Sequence, residues 1–262
     1  MPDRTKWDWL RAEVRAAARL FGEQLRSLPD TSVQVPNLEW SVAELGRHLA
    51  SLPHLYREQH RVGTSFESPT DWRQFSATAR AHITTNDGAE LARLIAVEVE
   101  TLLVPPDPDE RRMLYGCETT VANTAAGMMT ECILHGQDLG RLTGHKPRLE
   151  RRHALAGLEQ QMALTPVFIN PDKAAGLAGV YGLRFRGGSD FTYRIDELGK
   201  LAVERGWPGR ADARLNADPA TFLAASLGRV NPVAAALTGK IIAYGRKPWR
   251  MAQLGNAVVD GV

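Results

Sequence analysis

The sequence is short of several features that would settle its class at once. It has two cysteines in 262 residues, Cys117 and Cys132, too few for a disulfide framework and in keeping with a reducing cytoplasm. It has no excess of one charge. Formal net charge is +2 with the signs interspersed, which gives neither nucleic acid nor an anionic membrane a hold as main partner. No run of about 18 apolar residues is present, so no transmembrane helix is expected. The opening residues Met1-Pro2-Asp3-Arg4-Thr5-Lys6 are charged and lack the apolar centre of a signal peptide. Internal repeats, low-complexity tracts and the glycine fingerprints of phosphate and dinucleotide sites are all missing.

What is there is an ordinary globular composition, 44% hydrophobic and 24% charged, at a length above the usual single-domain size. Two domains are expected, residues 1–147 and 148–262, because the patterning changes character after Pro147.

The first part reads as helices. From Trp7 to about Leu28, Leu10, Val14, Ala17, Ala18, Phe21 and Leu25 recur at three and four. A second helix opens on Ser41-Val42-Ala43-Glu44, a capping box with Trp40 placed as its hydrophobic staple, and carries Leu45, His48, Leu49 and Leu52 on one face. Val62 to Asn86 is irregular and reads as a long crossing loop with short helical pieces. A third main helix starts near Asp87 and is stopped by Pro105-Pro106. An acidic linker, Asp107 to Glu110, leads to a fourth helix from about Thr119 to about Leu142, closed by Gly144. Four amphipathic helices with one long connection make a bundle whose core can host a metal.

The fourth helix holds the stretch of most chemical interest, Glu131-Cys132-Ile133-Leu134-His135-Gly136-Gln137-Asp138. Residues four apart lie roughly 40° apart around a helix, so Glu131 and His135 are neighbours and Asp138 continues their stripe. The rest of that face is small or apolar: Thr124, Gly127, Met128 and Leu142. Charged and polar groups there must be paired, hydrogen-bonded or metal-bound. Carboxylate and imidazole one turn apart suit zinc or a similar divalent ion, although Glu-x-x-x-His is also common as a solvated pair. His48 sits in an apolar stripe on another helix. It is either a hydrogen-bonded core histidine or a third ligand beside Glu131 and His135, leaving the fourth position of a zinc site open.

The second part reads as α+β. Arg152 to about Leu164 is a helix. Strands follow at Val180–Arg186, Phe191–Asp196, Leu201–Arg205 and Ala211–Asn216, with Gly187-Gly188-Ser189-Asp190 as a hairpin turn. Asp218-Pro219 caps a helix, a strand lies around Lys240 to Tyr244, and a last helix begins at Trp249. The sheet is expected to be antiparallel or mixed.

Trp40-Ser41-Val42-Ala43-Glu44-Leu45-Gly46-Arg47-His48-Leu49 together with Glu131-Cys132-Ile133-Leu134-His135-Gly136-Gln137-Asp138-Leu139 resembles the N-terminal domain of the mycothiol-dependent maleylpyruvate isomerase family, one of the DinB-like metal-binding four-helix bundles. Gln137 departs from that pattern, where an aromatic is common. From Val180 onward, Leu215-Asn216-Ala217-Asp218-Pro219, Gly228-Arg229-Val230-Asn231-Pro232 and Leu237-Thr238-Gly239-Lys240-Ile241 resemble the sterol-carrier-protein type 2-like fold. The resemblance implies a DinB-like bundle followed by a sterol-carrier-like α+β domain. It implies His48, Glu131 and His135 as ligands of a divalent metal, expected to be zinc, and mycothiol as a low-molecular-weight thiol cofactor. Asp138 is the candidate to orient a ligand imidazole from behind, or else pairs with Arg141 or Arg47. Cys132 reads as a small buried hydrophobe. His54, His60, His82, His145 and His153 read as surface residues.

The function so implied is a metal- and thiol-dependent enzyme acting on a small molecule in the cytoplasm, by thiol-assisted cis–trans isomerisation or thiol transfer to an electrophile. Arg184, Arg186, Arg194 and Arg205 are candidates to bind substrate carboxylates. The alternative is a non-catalytic, metal-containing protein that binds an apolar ligand in its second domain.

Overall fold

The computed structural model describes residues 4–62, 69–105 and 107–258. The chain divides into two compact units, Met1–Gln160 and Gln161–Val262. The first is mostly helical and the second is built on a mixed sheet.

In the first unit α1 (Arg4–Ser27), α2 (Val42–Val62), α4 (Gly88–Leu102) and α5 (Val121–Thr143) form a four-helix bundle. α1 packs on α4 and α5, and α2 packs on α4 and α5. The periodic residues of α1 fill the core: Leu10, Val14, Ala17, Ala18, Phe21 and Leu25 are all buried. A Cβ added to Gly22 would stand 3.1 Å from the Ala92 Cβ, so the missing side chain lets α1 and α4 approach closely. The capping box forms as read. The Ser41 N–H donates to Glu44 Oε2 at 2.7 Å and the Glu44 N–H donates to Ser41 Oγ at 3.2 Å. Asp87 caps α4 by accepting from the Glu90 N–H, and Gly144 ends α5 with φ 76°.

In the first unit, a helix and a hairpin differ from the sequence reading. The stretch read as a crossing loop with short helical pieces contains one thirteen-residue helix, α3 (Pro69–Ala81), packed on α2. Residues 63–68 of that stretch, and Pro106 of the proline stop, lie outside the described residues. The acidic linker leads first to a hairpin, β1 (Arg111–Leu114) and β2 (Cys117–Thr120), and only then to α5. Its turn is made by Tyr115 and Gly116, both with positive φ, 54° and 80°. Thr120 caps α5 by accepting from the Asn123 N–H. α6 (Arg151–Phe168) contributes its first part to this unit and its last part to the next.

The second unit carries α7 (Pro171–Ala174), β3 (Gly179–Phe185), β4 (Asp190–Ile195), β5 (Leu201–Arg205), β6 (Ala213–Ala217), α8 (Pro219–Ser226), α9 (Pro232–Leu237), β7 (Ile241–Tyr244) and α10 (Trp249–Ala257). Strand order is β5-β4-β3-β6-β7; β3 and β6 run parallel and the other neighbours antiparallel. Its core is Tyr181, Leu183, Phe185, Phe191, Tyr193 and Ile195 from the β3–β4 hairpin, with Leu215 and Leu223. α9, which the sequence reading passed over, is capped by Asn231 and begins on Pro232. No helix among the described residues is long and apolar enough to cross a membrane.

Candidate metal centre

The first turns of α2 and the middle of α5 bring three side chains together. Ser41 fixes where α2 starts, so His48 falls two turns inside it, facing the bundle core. On α5, Glu131 and His135 stand one turn apart. One ligand atom from each of the three residues can be chosen so that all lie within 4.8 Å of one another. Glu131 Oε2 is 3.6 Å from His48 Nε2 and 3.2 Å from His135 Nε2. Donor atoms in a tetrahedral site with bonds of about 2.0–2.2 Å stand roughly 3.3–3.6 Å apart, so these separations fit such a site.

Hydrogen-bond accounting points the same way. The His48 side chain is buried, and both its ring nitrogens lack a hydrogen-bond partner. At 3.6 Å the approach to Glu131 is too long to be one. His135 is flanked by two carboxylates: Nε2 faces Glu131, and Nδ1 lies 3.1 Å from Asp138 Oδ2. A neutral imidazole has one N–H and can satisfy only one of them. The other contact needs a positive charge between nitrogen and oxygen, either a second proton or a metal ion. A proton would still leave His48 unpartnered; one divalent ion satisfies all three residues at once.

The electrostatics suit ligation. Burial lowers the His48 pKa, against a smaller pull from Glu131, so the ring is held in the neutral form that a metal requires. Burial alone would raise the Glu131 pKa, but the two imidazoles outweigh it and hold the carboxyl well below its usual range. The Glu131 side chain keeps 29% of its surface exposed, against 2% for His48 and 6% for His135, so solvent reaches the cluster along the glutamate. Burial pushes the Cys132 thiol far up, which leaves it protonated and inert.

A neighbouring ring completes the surroundings. Trp40, read from sequence as a staple, has its ring centroid 4.9 Å from that of His48 and 6.3 Å from that of His135. Arg80 of α3 lies over the same indole, 5.0 Å from its centroid. Sequence reasoning missed Arg80 because the region around it was read as a crossing loop with only short helical pieces, with no face assigned.

The other candidates have local partners. Arg184 pairs with Asp190, and Arg194 with Glu204. Arg186 donates to Asn216 Oδ1 and to the Gly239 carbonyl, and Arg205 to Ser189 Oγ. His54, His82 and His145 are exposed, as expected. His153 corrects the sequence reading. It is buried in the first unit, stacked on Trp9 at 6.2 Å with Nε2 3.1 Å from Glu13 Oε2, because the start of α6 lies against α1 there.

The profile of the mycothiol maleylpyruvate isomerase N-terminal domain matches residues 10–140, half of the chain. The chain belongs to this family. His48, Glu131 and His135 all fall inside the matched segment. A search of curated proteins gave no match. Among solved structures, a mycothiol-dependent maleylpyruvate isomerase is 16% identical, with 90% of this chain and 92% of that chain covered at a TM-score of 0.46. The sterol carrier protein domain 2 of Helicoverpa armigera is 19% identical over 40% of this chain and 90% of that chain, with a TM-score of 0.34. The inverting sec-alkylsulfatase Pisa1 from Pseudomonas sp. is 14% identical over 87% of this chain, with a TM-score of 0.38; the chain covers 34% of that enzyme's length. Family membership rests on the profile match.

Proposed function

We propose that this member of the family is a metal- and mycothiol-dependent enzyme, in which His48, Glu131 and His135 hold a divalent ion and a small electrophile is isomerised or thiolated. The observation that carries the reading is the trio of donor atoms at metal-site spacing, with His48 buried and otherwise unpartnered. Two nitrogens and one oxygen favour zinc. A divalent ion held by these three residues would supply Lewis acidity, which favours the thiolate form of a thiol at neutral pH.

The protein's own contribution is preparation of the donors. Burial keeps His48 neutral. Asp138 accepts from Nδ1 of His135, fixes its tautomer and turns the Nε2 lone pair toward Glu131. Trp40 packs against both rings and restricts their rotation. Glu131, the exposed member, marks the side from which thiol and substrate reach the ion. Neither Cys117 nor Cys132 is in a disulfide, in line with the reducing cytoplasm proposed as the setting.

The test is turnover of a cis-configured α,β-unsaturated keto acid, maleylpyruvate first, by zinc-loaded protein with and without mycothiol. Conversion that requires the thiol and disappears in His135→Ala is expected. Conversion that needs no thiol, or that survives in His135→Ala, contradicts the proposal.

A further inference from the structure

An open recess of about 470 Å³ lies between α2, α3 and the segment that follows α3, lined by Trp40, Glu44, Arg47, Ala77, Arg80 and Ile83 among others. Its charges do not cancel within it. Arg47 donates to Asn86 Oδ1 at 2.8 Å and Arg80 to Ser76 Oγ at 3.1 Å, both neutral acceptors. Among the described residues neither guanidinium forms a close ion pair, although the Glu44 carboxylate acts on both at longer range. Glu44 is in the same recess, but its Oε2 is taken by the Ser41 N–H and hydroxyl at 2.7 and 2.9 Å. One positive charge is left over. Arg80 is half-buried, stacked on the Trp40 indole and partly stripped of water, and it shares the single Glu44 carboxylate with Arg47, so an incoming anion would offset the charge that Glu44 leaves.

We propose that this recess is a binding site for a small organic carboxylate, held by the guanidinium edges of Arg47 and Arg80 with its carbon skeleton against Trp40, Ala77 and Ile83. Planar guanidinium forks match the two oxygens of a carboxylate, and most of their N–H groups are unused here. The recess is mainly polar, and Trp40, Ala77 and Ile83 form its apolar part, where an acid with a hydrocarbon body makes contacts that a bare inorganic anion cannot. The site shares Trp40 with the surroundings of the cluster but uses none of His48, Glu131 and His135, and it does not require a metal there.

Benzoate is a suitable probe: one negative charge on a flat apolar body. The experiment follows the Trp40 indole N–H by NMR in the full chain, after metal has been stripped and the chelator dialysed away. Trp40 is assigned with Trp40→Phe. A saturable shift is expected, with affinity about tenfold weaker in Arg80→Gln and in Arg47→Gln, and partly restored in Arg80→Lys. Far-UV circular dichroism verifies that each variant is folded. A folded wild type with no saturable shift at about 10 mM benzoate overturns the proposal, as does undiminished affinity in both glutamine variants. An equal response to inorganic phosphate overturns the organic-acid class. Benzoate binding that appears only when zinc is restored, and is then indifferent to Arg80→Gln, places the anion on the metal and overturns the recess as its site.

Discussion

Removing the Asp138 carboxylate tests the donor arrangement without touching a proposed ligand. Asp138 Oδ2 lies 3.1 Å from His135 Nδ1, and the two side chains are 8% and 6% exposed. In Asp138→Ala the Nδ1–H loses its acceptor in a site that water hardly enters. The ring is then free to take the other tautomer, which puts a hydrogen on Nε2 and blocks its lone pair. A buried hydrogen bond to a charged group is worth about 1.5–3 kcal/mol. Loss of a carboxylate behind a ligating imidazole costs about 10–100-fold in metal affinity, or about 1.4–2.7 kcal/mol, the same range. Zinc competition against a chromophoric chelator measures it directly. Asp138→Asn keeps an acceptor oxygen but not the charge and should fall between wild type and Asp138→Ala. Affinity within twofold of wild type in a folded Asp138→Ala protein would refute the reasoning. Complete loss of binding would also count against it, because it would make Asp138 a ligand.

Two further outcomes follow from the same geometry. Burial sets the His48 pKa below the ordinary imidazole value of about 6.5, so the unfolded chain takes up that proton first as pH falls. The contribution is complete above about pH 6.5 and is lost as pH drops through the folded value. Thermal midpoints of metal-free protein should therefore decline less between pH 7.5 and pH 5 in His48→Ala than in wild type, and equal declines would contradict the assignment. Cys132 is buried with its thiol pKa far raised, whereas Cys117 is only half-buried. Native alkylation with iodoacetamide followed by mass spectrometry should label Cys117 first, and labelling of Cys132 at a comparable rate would show that α5 opens.

Much of the bundle was legible because its signals are local. The Ser41/Glu44 box, the Asp87 cap, Gly144 and the apolar stripes of α1 and α4 each depend on residues within a turn or two of one another. The β3–β4 hairpin was legible for the same reason. α3 was not: it packs mainly on α2, and its described residues bury only Ser76 and Ala79, so it has no leucine or valine stripe to announce it. The β1–β2 hairpin was missed because Arg111-Arg112-Met113-Leu114 shows no alternation and its turn depends on Tyr115 accepting a left-handed conformation. In the site, spacing put Glu131 and His135 on one face and His48 on another helix. That α2 and α5 bring them to 3.2–3.6 Å is a matter of tertiary packing that no local pattern encodes. Nor does any local pattern encode the placing of Arg80 over Trp40, which needs α3.

Metal content of the purified protein, measured by elemental mass spectrometry on wild type beside His48→Ala, tests the central claim most directly. The account predicts about one divalent ion per chain in wild type and its loss in a folded variant, since the two ligands left on α5 hold zinc poorly. Wild type that stays empty after zinc addition, or a variant that keeps its metal, would contradict it.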